Sequence, residues 1–235
     1  MADPHPLDRP IWNALATRQA GFGVGDERAM RFLPEIGMFA AAARKSPACM
    51  TALAELVARR GLAATVEADV WPPIAGTEVV SRAVIVQMAA TEITPPGPAD
   101  EPDYEIVPLG EPDAAEMLAL ATLTQPGPFF ARTHQLGEFV GIRQDGRLVA
   151  MAGERMKPEG FTEVSGVCTH PEHRGKGYAE ALSRLVAGRI LDRGEMPFLH
   201  AYAHNEGAIS LYRRLGFTLR SKMQMTVLGP ARTRG

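Results

Sequence analysis

Thr169-His170-Pro171-Glu172-His173-Arg174-Gly175-Lys176-Gly177-Tyr178-Ala179 is the stretch on which the reading of this chain turns. It follows a strand-like run at 161–169. It opens a helical pattern over 178–193, with Tyr178, Leu182, Leu185, Val186 and Ile190 on one face and Gly194 as its stop. Where a strand passes through a loop into a helix, the first backbone N–H groups of the helix are unpaired and carry the positive end of its dipole. A pyrophosphate fits such a place when no side chain blocks it. Gly175 and Gly177 keep the backbone bare, and Arg174 and Lys176 add positive charge. A basic glycine turn without a ligand has the same letters, so the segment alone leaves both readings open.

Downstream, 198–203 is a strand. Asn205 then caps a short helix with Ala208, Leu211, Tyr212 and Leu215 on one face, closed by Gly216, and 217–228 is the last strand. Upstream, 104–109 is a strand and 112–123 a helix with Asp113 and Glu116 in its first turn. The runs 139–143 and 147–156 flank Gln144-Asp145-Gly146, whose Asp-Gly pair predicts a type I′ hairpin. Gly166 interrupts 161–169 and predicts a bulge. This order predicts a mixed α/β arrangement with antiparallel hairpins at its centre.

The first half says less. Ser46 and Pro47 open a helix over 48–60 that Gly61 stops, and 64–70 and 81–88 read as strands. Gly21-Phe22-Gly23-Val24-Gly25 resembles a nucleotide loop in letters only, because no strand precedes it, and it reads as a loop. Between 94 and 102 stand four prolines and a glycine, a composition that continues neither a helix nor a central strand. The expected division is therefore an α/β region at 1–94, a proline-rich linker at 95–102 and a second domain at 103–235.

Composition narrows the field without choosing within it. Of 235 residues, 46% are apolar and 22% charged, as in ordinary globular chains, and the net charge of −2 gives no pull toward nucleic acid or anionic membrane. Two cysteines, Cys49 and Cys168, are too few for a disulfide framework or a cysteine zinc site. No apolar run approaches the roughly 18 residues of a membrane span, and no leader pattern opens the chain, so a cytoplasmic protein is expected. His170 and His173, like His200 and His204, lack companion residues at zinc spacing, and no metal is expected.

The pattern Arg174-x-x-Gly177-x-Ala179, followed by Asn205, Ala208, Tyr212 and Gly216-Phe217 and preceded by Val167-Cys168-Thr169-His170-Pro171, resembles the GNAT superfamily of acyl-CoA-dependent N-acyltransferases, especially its glycine N-acyltransferase-like branch. The resemblance covers about residues 103–230, just over half the chain. It implies an α/β fold with a GNAT-type mixed, mostly antiparallel sheet flanked by helices. The α/β first half would be a degenerate copy of that layout or a cap over the acceptor.

It also implies direct attack of a primary amine, from a small molecule or a peptide, on the thioester of acetyl-CoA within a ternary complex. A homodimer is left open, and a CoA-binding module without turnover is the rival. Arg174, Gly175, Lys176, Gly177, Tyr178 and Ala179 would take the pyrophosphate, and the strand edge at Val167, Cys168 and Thr169 would pair with the pantetheine arm. An N–H near Val167 or Cys168 would polarise the thioester carbonyl. Asn205 reads equally as a helix cap and as a contact to that arm. Tyr212 would protonate the departing thiolate, and its spacing also fits a core aromatic. Glu154 or Glu163 would take the proton of the amine, with Glu154 preferred because its apolar neighbours should raise its pKa. Cys168 reads as a buried strand residue rather than an acyl acceptor. Phe129 and Phe130 fall where the family builds its acceptor wall.

Overall fold

The computed structural model describes residues 5–97 and 104–231, so Pro98 and Pro102 of the proline-rich segment lie outside the described residues. The elements run α1 (Pro10–Leu15), β1 (Gly23–Gly25), β2 (Ala29–Phe32), β3 (Ala40–Ala42), α2 (Pro47–Arg60), β4 (Ala63–Glu67), β5 (Thr77–Ala89), β6 (Ile106–Leu109), α3 (Ala114–Thr124), β7 (Phe139–Gln144), β8 (Arg147–Glu154), β9 (Phe161–Thr169), α4 (Tyr178–Asp192), β10 (Met196–Tyr202), α5 (Glu206–Arg214) and β11 (Thr218–Pro230).

Local chemistry accounts for most boundaries. Ser46 caps α2 by accepting from the Cys49 N–H, Pro47 fills its first turn, and Gly61 ends it at φ +79°. Asp145 and Gly146 sit at φ +50° and +79°, the left-handed pair that a type I′ turn needs between β7 and β8. Gly21–Gly25, expected as a loop, is instead half turn and half strand. Residues 20–22 form a 3₁₀ turn, and β1 pairs with β2 at the edge of a small three-stranded sheet.

Eight strands form the main sheet in the order β4-β11-β5-β10-β9-β8-β7-β6. Only β9 and β10 are parallel, and every other neighbouring pair is antiparallel. The expectation of a mixed, mostly antiparallel sheet holds. The expected division at 95–102 is not a division of this sheet. β5 belongs to the first half, yet it lies between β10 and β11 of the second, and β4 pairs with the far edge of β11. Two strands of the first half thus complete the sheet of the second half.

The two faces of the sheet carry different cores. Beneath α4 and α5, Leu182, Val186 and Ile190 pack on Val86, Met88, Val164 and Leu199. On the opposite face, Leu7, Ile11 and Leu15 of the α1 region pack on Phe39, Val66, Ile85, Phe198 and Met223. No helix among the described residues is long and apolar enough to cross a membrane.

β9 and β10 pair only from Met196↔Phe161 to Phe198↔Glu163 and then diverge. A parallel pair that separates partway leaves backbone groups on both inner edges without a strand partner. That divergence opens the cleft described next.

Candidate active site

The cleft has a volume of about 700 Å³ and passes between the diverging strands. It connects the α4 face of the sheet to the α1 face. All ten residues expected to hold the cofactor line it: residues 167–169, 174–179 and Asn205.

On β9 the geometry is set by Gly166. Met151 faces Cys168 and Gly153 faces Ser165, so two residues of β9 stand opposite Ala152 alone. Gly166 sits at φ +64°, and a Cβ there would lie 2.9 Å from the Phe139 ring. Both the backbone angle and the space require glycine. Beyond the bulge the His170 N–H donates to the Val149 carbonyl. The alternation of an antiparallel ladder then turns the N–H and C=O of Thr169 away from β8, into the cleft. The Thr169 hydroxyl is buried without a hydrogen-bond partner, and so is Nδ1 of His173. Two orphaned polar atoms in one cleft wall fit a polar ligand there.

At the head of α4, Gly175 and Gly177 adopt φ +79° and +76°, with nothing within 4 Å of a Cβ at either. Here glycine serves the turn and leaves the backbone open. Arg174 and Lys176 are exposed, and among the described residues no ion pair engages either of them. Tyr178 contributes backbone only, because its ring is buried in the core, edge-on to Tyr104 at 4.8 Å. Asn205 accepts from the Ala208 N–H through Oδ1 at 3.1 Å, which caps α5 and leaves its amide N–H₂ available to the cleft.

Tyr212 of α5 lines the cleft, with its ring buried against Phe217 at 5.9 Å. Burial first, and the Glu163 charge second, push its phenol up to about 12. The Cys168 thiol lines the same cleft, and burial lifts it to about 11. It is not an acyl acceptor, since the thiolate is the nucleophilic form.

Both candidate bases require correction. Glu154 is 1% exposed and does not line the cleft. Burial alone pushes its carboxyl up, as expected. Lys157 Nζ at 2.7 Å and Arg193 Nη2 at 2.6 Å outweigh it and hold the pKa below the usual carboxylate range. Glu163 is fully buried. Burial again acts upward, but Arg155 grips both its oxygens at 2.8 and 2.9 Å and His200 Nδ1 lies at 2.8 Å, so its carboxyl is held far below the ordinary range. Glu163 accepts from Arg155, His200 and the Met156 N–H, and Glu154 is held by Lys157 and Arg193 away from the cleft. The apolar sequence around Glu154 could not reveal this, because Arg193 comes from the end of α4, 39 residues away.

The acceptor wall expected at Phe129 and Phe130 is also corrected. Phe129 packs edge-on to Phe139 at 5.7 Å, and neither Phe129 nor Phe130 lines the cleft, although the preceding segment 124–128 does. On the α1 face the wall is built by Phe39, Val66, Ile85, Met156 and Met225, three of them from the first half of the chain. Arg155, His200 and Tyr202 supply the polar groups there. Nothing local marks these residues, which only the sheet order brings together.

His200 is a strand residue with a buried side chain. Its side chain is 6% exposed and belongs to a chain of hydrogen bonds. Arg220 donates to Gln87 Oε1 at 2.8 Å, and Gln87 Nε2 donates to the Leu7 carbonyl at 2.9 Å. The second N–H of that amide faces His200 Nε2 at 3.0 Å. His200 Nε2 is therefore an acceptor, and the ring proton sits on Nδ1, donated to Glu163. His170, Glu172 and His173 do approach one another, with donor atoms within 4.8 Å, but His170 Nδ1 is already occupied by the Glu172 N–H.

Comparison with known proteins bears on the same regions. A family model described as FR47-like protein matches residues 139–226, the span from β7 into β11. No curated protein matches the chain. Among solved structures, a Novosphingobium aromaticivorans protein assigned to the GNAT family as an acetyltransferase shares 45% identity, with a TM-score of 0.88, covering 97% of this chain and 100% of that one. A GCN5-related N-acetyltransferase from Kribbella flavida shares the fold at 22% identity and a TM-score of 0.63, over 95% and 96% of the two chains. The likeness to the Novosphingobium protein spans the first half as well as the second, inserted β5 included, and on that ground this chain belongs to the GNAT family of acetyltransferases.

Proposed function

We propose that the protein transfers an acetyl group from acetyl-CoA to a primary amine by direct attack within a ternary complex. The observation that carries this reading is the cleft itself. It runs from an open, positively charged helix start, past unpaired strand groups and a buried tyrosine, to a separate apolar chamber on the other face of the sheet. One side takes the donor and the other the acceptor.

In this reading the pyrophosphate lies on residues 174–179 and is held by backbone N–H groups, Arg174 and Lys176. The pantetheine arm adds to β9 as a short strand, bonded by the Thr169 backbone and the Asn205 amide. The thioester carbonyl reaches the backbone at the Gly166 bulge, where a fixed N–H polarises it. The amine nitrogen bonds to the acetyl carbon, the C–S bond breaks, and the sulfur leaves with the electron pair and takes the Tyr212 proton. A phenol near 12 remains protonated at neutral pH. The burial that raises the Cys168 thiol also disfavours a bare thiolate in this cleft, so the proton reaches sulfur as the C–S bond breaks. Glu180, at the phosphate end and paired with Arg184 and Arg214, is the only carboxylate among the described lining residues. The amine therefore reacts as the free base and loses one of its two N–H protons to water in the open cleft as the amide forms, and Tyr212 regains its proton from the same water.

Thermal unfolding with acetyl-CoA, CoA and ATP tests the reading. Acetyl-CoA or CoA at about 100 times its dissociation constant should raise the melting temperature by roughly 5–10 °C. ATP at the same concentration should not. Absence of a shift with both CoA species overturns the proposal before any amine is assayed.

A further inference from the structure

The chamber on the α1 face is walled by Phe39, Val66, Ile85, Met156 and Met225, and among the described residues Arg155 is its one full cation. The guanidinium is only partly spent. Nε and Nη2 bind Glu163, while Nη1 has no partner among the described residues. The Arg155 side chain is 12% exposed and Glu163 is 0% exposed, so the carboxylate backs the guanidinium from within and the free edge looks into the chamber. The guanidinium is fixed on a third side by the Phe39 ring, 4.8 Å from its centre. His200 cannot play the same part, since both its ring nitrogens are engaged by Glu163 and Gln87. A rigid fork with spare N–H groups, set in apolar walls, suits the planar oxygens of a carboxylate. From this geometry we infer that the acceptor is an amine that also carries a carboxylate, an amino acid with an apolar side chain, and that Arg155 binds the carboxylate and so sets specificity.

This inference rests on the acetyl-transfer reading and deepens it. Arg155 positions the acceptor and takes no part in proton transfer.

The test compares L-leucine, L-methionine and L-phenylalanine with their amides and with the corresponding decarboxylated amines, all with acetyl-CoA and the full chain. Removing the charged partner of a guanidinium should lower kcat/KM by roughly 10- to 100-fold for both neutral series. In Arg155→Lys, which keeps a charge beside Glu163 but loses the fork, the preference should fall to within about threefold, the scale of a weak contact. Stabilisation of that variant by acetyl-CoA should be unchanged, and this monitors folding and donor binding. Independently of turnover, N-acetyl-L-phenylalanine should bind the CoA-loaded protein more tightly than N-acetyl-2-phenylethylamine by the same factor. Equal use of the neutral amines, equal binding of the two products, or a preference that survives in Arg155→Lys overturns the inference. Loss of the acetyl-CoA shift in the unmodified protein would instead sink the acetyl-transfer reading, and the two failures are separable.

Discussion

Tyr212 illustrates how a residue's surroundings decide its chemistry. On α5 its spacing fits a core aromatic, and its ring is indeed in the core, yet it also lines the cleft. Burial and the nearby Glu163 charge keep its proton in place, which suits a donor and excludes a base. Tyr212→Phe should lower kcat by roughly 10²-fold and leave acetyl-CoA affinity within a factor of about two, read from steady-state rates beside equilibrium binding. The sign of the pH dependence follows from the same shift. A group lifted to about 12 stays protonated through the accessible range, so kcat/KM should rise roughly tenfold per pH unit up to the pKa of the amine itself. It should show no fall from tyrosine ionisation below about pH 10. A plateau beginning near pH 5 would point to an enzyme carboxylate acting as base and would contradict the role denied here to Glu154 and Glu163.

At the scale of elements, two short features shape the α4 side of the cleft. The bulge in β9 re-aims its backbone, and Gly166 permits it at φ +64° beside Phe139. Gly166→Ala should cost about 1–3 kcal/mol, measured by urea unfolding, and weaken acetyl-CoA binding as the bulge shifts. An unchanged midpoint would mean that the bulge relaxes freely. The start of α5 would join two duties in one side chain, since Asn205 Oδ1 caps the helix and the residue lines the cleft with its N–H₂ unused by the cap. Asn205→Asp keeps the cap acceptor and removes the donor. It should melt within about 0.5 kcal/mol of the parent and bind acetyl-CoA several-fold more weakly, whereas Asn205→Ala should lose about 1 kcal/mol of stability as well.

For the whole molecule, the consequential fact is the place of β5. Its register with β11 runs from Thr218↔Ala89 to Pro230↔Thr77, and its other edge pairs with β10 from Phe198↔Ala89 to Tyr202↔Ile85. Removing residues 1–94 would take out the strand between β10 and β11, leave two unpaired edges in the middle of the sheet, and strip Phe39, Val66 and Ile85 from the acceptor wall. The fragment 95–235 should therefore show no cooperative melting transition by circular dichroism and no stabilisation by acetyl-CoA. A folded, acetyl-CoA-binding fragment would restore the division suggested by the prolines.

Much of this protein was legible in its letters. The loop at 174–179, the Asn205 cap, the Asp145-Gly146 turn, the bulge at Gly166 and the run of strands and helices from β6 onward each depend on residues close in sequence, where backbone angle, capping and periodicity act locally. The phosphate end of the cleft belongs to this class, because a helix start is made by consecutive residues. The acceptor end does not. Phe39, Val66, Ile85, Arg155 and His200 meet only because β5 enters the sheet between β10 and β11, and no local pattern records strand order. The charge state of Glu154 was likewise settled by Lys157 and Arg193 outweighing the burial that its own segment had announced. The sequence by itself determined the elements and the loop proposed to hold the donor, because short-range forces build them. The tertiary structure alone decided the acceptor chamber and the fate of the buried carboxylates, because those depend on which distant charges and strands packing brings into contact.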